Sequence, residues 1–243
     1  LTIGGESVEP GERRTIELPL SRVFSHVDVN MPVQVVRGRR PGPVLCVSAG
    51  VHGDELNGVE IVRRLMKQSA LGRIRGTVIA VPVVNVFGFL QQTRYLPDRR
   101  DLNRSFPGSE TGSLAARLAH LFMNEVVEHC DYGIDLHTAA THRTNLPQIR
   151  ATLDDERTVA IAKAFGAPVI IDARIRDGSL RAALHGRGIP MLLYEAGEAL
   201  RFDEVSIRAG VRGVISVMRE LGMLPKSRSR RRAEPSTALD SSW

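Results

Sequence analysis

Residues 43–60 read PVLCVSAGVHGDELNGVE. The first seven form a nearly unbroken apolar run closed by Gly50, the pattern of a strand covered on both faces. Beyond it, Val59, Val62, Leu65 and Met66 recur at helical spacing and predict a helix over 54–68. A buried strand that feeds a helix through a short polar turn is one unit of a layered α/β sheet. The turn carries His52, Asp54 and Glu55. His52 and Glu55 stand three apart, which lets both side chains reach one point from a helix start. Either this is a loop histidine followed by acids that suit a helix N-terminus, or it is half of a metal site.

The same alternation runs along the 243 residues. Strands are expected near 13–19, 32–37, 43–49, 76–84, 131–136, 168–171 and 189–194, and helices near 54–68, 112–130, 155–165, 178–187 and 203–221. The expectation is a three-layer α/β/α fold with a mostly parallel, mixed central sheet, its first two strands forming an antiparallel edge. Residues 1–224 read as one domain, with 1–40 as an N-terminal β-strand extension, and 225–243 as a basic hydrophilic linker. The stretch 85–111 reads as a long loop dense in arginine and asparagine. A loop of that length is usually functional or disordered, and its Phe, Leu and Tyr content argues for order.

A sequence pI near 10.0 invites a nucleic-acid reading. Lys226, Arg228, Arg230, Arg231 and Arg232, however, supply five of the six formal net positive charges. The remainder is nearly neutral and its strands carry no aromatic stacking platform, so no nucleic-acid partner is expected. No apolar run approaches the roughly 20 residues needed to span a bilayer, and no membrane partner is expected. Cys46 in an apolar strand and Cys130 at a helix end read as reduced thiols. With no secretory signal visible at the N-terminus, they point to the cytoplasm. Oligomeric state, including a homo-oligomer, is left open.

A catalytic zinc takes three protein ligands and keeps one position for water. After His52 and Glu55, the third donor should come from another strand end. GIDLHTA (133–139) supplies His137, with His142 as a competitor further into the loop. In open α/β sheets, ligands gather at the carboxyl edge of the strands, where both His52 and His137 fall. LLYEAGE (192–198) brings Glu195 to the same edge, ahead of Glu198 in the loop. Metal hydrolysis needs such a carboxylate to deprotonate water. In the long loop, Arg94, Asn103 and Arg104 are candidate substrate anchors, since arginine suits carboxylate recognition and can polarise a carbonyl. Asp98 and Asp101 are expected to pair with Arg99 and Arg100. No GxSxG elbow supports a serine hydrolase.

GVHGDE, DLNRSFPG, GIDLHTA and LLYEAGE, in this order, resemble the succinylglutamate desuccinylase/aspartoacylase family of the zinc carboxypeptidase-like superfamily over roughly Ile3 to Leu224. The resemblance implies one zinc ion per chain held by His52, Glu55 and His137, with Glu195 as general base. It implies Asn103 and Arg104 gripping a substrate carboxylate, Arg94 near the scissile carbonyl and Asp54 orienting the site. Arg181, in GSLRAALHGRG (178–188), is the nearest match to a further substrate arginine. Family members usually carry a C-terminal β-rich domain, which STALDSSW could begin. The implied activity is zinc-dependent deacylation of N-acyl amino acids or related small amides. A metallocarboxypeptidase or a non-catalytic metal-binding interaction module are the alternatives.

Overall fold

Successive residues of the strand Arg40–Ala49 point to opposite sides of the sheet, and both sides are apolar. Leu45, Val47 and Ala49 enter one core and Cys46 the other. A strand covered twice must lie in the middle of a layered molecule. The computed structural model describes residues 1–22, 28–226 and 237–240.

The strands are β1 (Thr2–Ile3), β2 (Glu6–Ser7), β3 (Arg13–Arg22), β4 (Asp28–Arg37), β5 (Arg40–Ala49), β6 (Arg75–Val81), β7 (Tyr132–Ala139), β8 (Asn145–Ala151), β9 (Val169–Asp172), β10 (Met191–Glu198) and β11 (Thr237–Asp240). The helices are α1 (Leu56–Met66), α2 (Val86–Gln91), α3 (Leu114–Glu125), α4 (Glu156–Phe165), α5 (Leu180–His185) and α6 (Glu204–Glu220). Nine strands form one sheet in the order β11-β9-β8-β10-β7-β5-β6-β4-β3. Its centre, β10-β7-β5-β6, is parallel. On one flank β4 and β3 run antiparallel, the expected edge. On the other, β8 opposes β10, while β9 and β11 follow the direction of β8.

Apolar stripes of α1, α4 and α6 cover one face through Ile61, Leu65, Ile161, Phe165, Ile207 and Val214. The stripe of α3 (Leu118, Phe122, Met123) and Leu180 and Leu184 of α5 cover the other, alongside the N-terminal strands. The fold is the expected three-layer α/β/α arrangement. From β5 the chain crosses through α1 to β6 on one side, then returns to β7 on the other. That reversal opens a crevice at the carboxyl ends of β5 and β7.

Differences from the sequence expectations have local causes. The helix begins at Leu56, two residues later than expected, because Glu55 has φ −92° and ψ 86° and stands as its N-cap. Strand β7 runs on to Ala139, so His137 lies within it. Strand β10 extends through Glu195 to Glu198, with a register break that includes Gly197 at φ +75°. The sequence NLPQIRA of β8 reads as loop because proline interrupts it. Pro147 sits where the β8–β10 register shifts, at a bulge that tolerates it. The stretch 85–111 contains α2 and a 3₁₀ turn, Leu102–Arg104, pinned by buried Leu96, Leu102 and Phe106. Thr237–Asp240, expected in a linker or in the first strand of a β-rich domain, pairs with β9 and occupies its outer edge. Most of the basic run, and His26, lie outside the described residues. No helix among the described residues is long and apolar enough to cross a membrane.

A close approach joins α6 to α4. A Cβ on Gly213 would lie 2.2 Å from the Phe165 ring, which itself packs 4.9 Å from the Tyr194 ring in the core. Gly213→Val is expected to destabilise the fold by about 1–3 kcal/mol through overpacking. A lowered thermal midpoint checks this; an unchanged one would mean the α4–α6 contact yields freely.

Candidate active site

The turn after β5 lies flat against the segment following β6. A Cβ on Gly53 would meet the backbone carbon of Gly88 at 2.0 Å, so only glycine permits this approach. The turn delivers His52 and Glu55 inward, leaving them 4% and 2% exposed. In β7, strand alternation sends Ile134 and Leu136 into the core and Asp135 and His137 to the opposite face. Because β5 and β7 are adjacent, with Ala49 opposite Leu136, the two histidines meet. Their ring centroids are 5.0 Å apart.

Glu55 stands between them. One carboxylate oxygen lies 2.7 Å from His52 Nδ1 and the other 2.9 Å from His137 Nδ1. The second oxygen also accepts the backbone N–H of Thr138 at 2.9 Å. Behind each ring is a further carboxylate. His52 Nε2 faces Asp101 Oδ1 at 3.1 Å, and His137 Nε2 faces Asp135 Oδ2 at 2.6 Å. Asp135 is in turn held by the Ser48 hydroxyl at 2.7 Å. Donor atoms of His52, Glu55 and His137 all lie within 4.8 Å of one another, so the three could hold a metal ion. Two imidazoles and a carboxylate, with outer carboxylates fixing the rings, form a donor set suited to a divalent cation.

Electrostatics agree with the geometry. Burial works against charge on both histidines, but Glu55 and Asp101 outweigh it at His52, and Asp135 and Glu55 at His137. Both titrate above ordinary histidine, His137 well above it. Burial also opposes the Glu55 carboxylate, yet the two imidazoles hold it well below the usual range. Asp101 is depressed likewise: burial opposes its charge, and His52 and Arg94 prevail. Asp54 shifts up through burial, then through the charge of Glu55. Its Oδ1 is buried without a hydrogen-bond partner.

A cavity of about 580 Å³ opens in front of the cage, lined by residues that include Arg94, Asn103, Arg104, Arg181 and Glu195. Glu195 is the register partner of His137 on neighbouring β10 and shares its face. Its Oε2 accepts a hydrogen bond from Asn145 and lies 3.6 Å from Arg150 Nη2. Arg94 donates to Glu55 at 3.3 Å and to Asp101 at 3.1 Å, so it sits against the cage. Asn103 accepts the N–H of Leu180 at 2.9 Å, and Arg104 bonds the Asn103 carbonyl. Arg181 donates to the carbonyls of Ala173 and Arg174 at 2.8 and 2.6 Å. His142 is exposed and outside the cage. Glu198 accepts its backbone N–H at 2.7 Å.

A family model described as the succinylglutamate desuccinylase/aspartoacylase catalytic domain matches residues 41–221. The chain belongs to this family. The N-alpha-acetyl-L-2,4-diaminobutyric acid deacetylase of Halomonas elongata is 36% identical over 163 residues, 64% of this chain and 47% of that protein. A succinylglutamate desuccinylase of Pseudomonas aeruginosa is 32% identical over 152 residues, 57% of this chain and 43% of that protein. The chain thus spans about half the length of these curated relatives. Among solved structures, a succinylglutamate desuccinylase/aspartoacylase from Rhodobacter sphaeroides superposes with a TM-score of 0.83 at 30% identity, over 94% of this chain and 71% of that one.

Within this family member's candidate site, sequence reasoning missed Asp101, Asp135, Asn145 and Arg150. Asp101 binds His52 and Arg94, whereas Asp98 is the partner of Arg100, at 3.8 Å. Asp135 carried a usable signal, since two residues before His137 on a strand means the same face.

The raised histidines and depressed Glu55 predict a pH signature for chelator-treated protein. Stability from the imidazoles is present below the ordinary histidine pKa of about 6.5 and is lost as pH rises through their elevated values. Stability from Glu55 is present above the ordinary carboxylate range and is lost in strong acid. Thermal midpoints should therefore fall on the alkaline side. An added divalent cation, which replaces protons, should raise them most there. A chelated protein with a flat midpoint above pH 7 would show the imidazoles to be neutral.

Proposed function

We propose that the chain is a zinc-dependent amidohydrolase that removes the acyl group from an N-acyl amino acid or a related small amide. One Zn²⁺ per chain would be held by His52, Glu55 and His137. The observation that carries this reading is the convergence of those three donors beside a cavity that also holds Glu195. The relatives named as a deacetylase and a desuccinylase support amide hydrolysis. A cavity near 580 Å³ suits a small molecule.

Bound there, zinc supplies Lewis-acid polarisation of the carbonyl and a lowered pKa for water. The chain's residues do the rest. Glu195 takes the proton from the water that attacks the amide carbon and delivers it to the departing nitrogen, so that a neutral amine leaves. Asn103 and Arg104 hold the substrate carboxylate, which limits the amide to orientations that favour attack. Arg94, against Glu55, directs positive charge toward the carbonyl oxygen. Asp101 and Asp135 keep both imidazoles oriented with Nδ1 inward. Residues 1–224 form the catalytic unit in this reading. Two free, buried cysteines support a cytoplasmic setting.

Glu195→Gln should retain zinc at one equivalent and lose about 10²–10⁴ in kcat on N-acyl amino acids. Chelation should abolish turnover, and added Zn²⁺ should restore it. Undiminished turnover in the variant would overturn the base assignment. Zinc bound at one equivalent without hydrolysis of any acyl amino acid would favour a binding module. Preferential cleavage of C-terminal residues from peptides would favour a carboxypeptidase.

A further inference from the structure

Strands β5 and β10 are not neighbours, since β7 lies between them. The turn that carries His52 and Glu55 is therefore not paired to the strand that carries Glu195. Contacts over the end of β7 span the gap. The Leu200 backbone N–H donates to the Asp54 carbonyl at 2.8 Å. The side-chain link is Asn57, the second residue of α1 and 1% exposed. Its Nδ2 donates to the Ala196 carbonyl at 3.1 Å, and its Oδ1 accepts the Asp203 N–H at 2.9 Å. Gly58 permits this reach. A Cβ there would lie 2.8 Å from the Leu136 carbonyl oxygen, so the start of α1 rests on the end of β7.

The carbonyl that Asn57 takes is the one directly after Glu195. Glu195 pairs with His137, and the next β7 pairing is Glu198 with Ala139, an advance of three residues against two. Ala196 and Gly197 fall in that bulge, where the ladder does not set the backbone path. Gly197 closes onto the amide, since a Cβ there would lie 2.6 Å from Asn57 Nδ2. Ala196 is fully buried, and a buried carbonyl that loses its donor is driven toward another partner. Glu195 moves with any such turn of the backbone. Asn57 does not itself line the cavity, and Asn103 and Arg104 belong to a different segment.

We propose that Asn57 is a positioning residue for Glu195. By holding the β10 bulge to the turn after β5, it fixes the distance between Glu195 and the His52–Glu55–His137 cluster. The role of Glu195 rests on the hydrolase reading; the link between turn and bulge does not. Proton transfer needs the base within hydrogen-bond reach of the attacking water, and a shift of about 1 Å costs about 10²-fold.

The test uses the zinc-loaded 243-residue chain and the N-acyl amino acid that it turns over fastest. Asn57→Ala should keep zinc at one equivalent and KM within about twofold, and lose about 10–100-fold in kcat. In a Glu195→Gln background the same change should cost less than about twofold, because the two residues act as one. Backbone hydrogen exchange should quicken over residues 195–200 and stay unchanged over 132–136. Asn57→Asp guards against a variant that fails to fold. It keeps the acceptor for the Asp203 N–H and loses the donor to Ala196, so it should fold and show the same kcat loss.

Unchanged kcat in both variants overturns the proposal. So do losses that multiply with those of Glu195→Gln, which mark a purely structural asparagine, and so does loss of zinc. An unaltered chain that hydrolyses no acyl amino acid removes the hydrolase reading instead. Exchange then decides the link by itself: faster exchange over 195–200 in the variants upholds it, and unchanged exchange overturns it.

Discussion

The site depends on one buried carboxylate. Glu55 faces His52 with one oxygen and His137 with the other, and takes further donors from Arg94 and the Thr138 backbone. A carboxylate so deeply enclosed would be strongly disfavoured alone; four partners make it tolerable. Those partners come from the turn after β5, the 85–111 segment and β7, so a single side chain ties three distant stretches together. Asp101 and Asp135 complete the arrangement from outside. Charges alternate from carboxylate to imidazole to carboxylate, which is how a protein holds several ionisable groups in a small dry volume.

The sheet makes this meeting possible. Placing β7 beside β5 requires the chain to reverse its direction of travel across the sheet after β6, and the crevice lies at that reversal. Both faces of β5 and β7 are covered by packed helices, so the strands are held firmly; the turn after β5 carries His52 and Glu55, and β7 itself carries His137. Glycine at position 53 lets the ligand-bearing turn lie directly on the backbone near Gly88. On the neighbouring strand, the β7–β10 register brings Glu195 alongside His137 with no contribution from any loop.

What could be read in advance follows from how local each signal is. The parallel centre, the antiparallel edge and five of the six described helices were legible because apolar periodicity is written in consecutive residues. The three cage residues were legible because each follows or ends an apolar strand. Strand β8 was not, since Pro147 and its polar residues resemble a loop, and its pairing is set by β10 and β9. Asp101 was read as a partner of its arginine neighbours, because its real contact, His52, lies 49 residues away. The Arg181 contacts were equally hidden: a guanidinium bound to carbonyls leaves no mark on composition or spacing.

Strand β8 supplies Asn145 and Arg150 to the cavity yet contributes nothing to the cluster of His52, Glu55 and His137. It joins the sheet through backbone pairing with β10 and β9, which does not depend on which side chains it carries. Substitutions along this strand would therefore reshape the cavity wall while leaving the His52–Glu55–His137 cluster to the strands beside it.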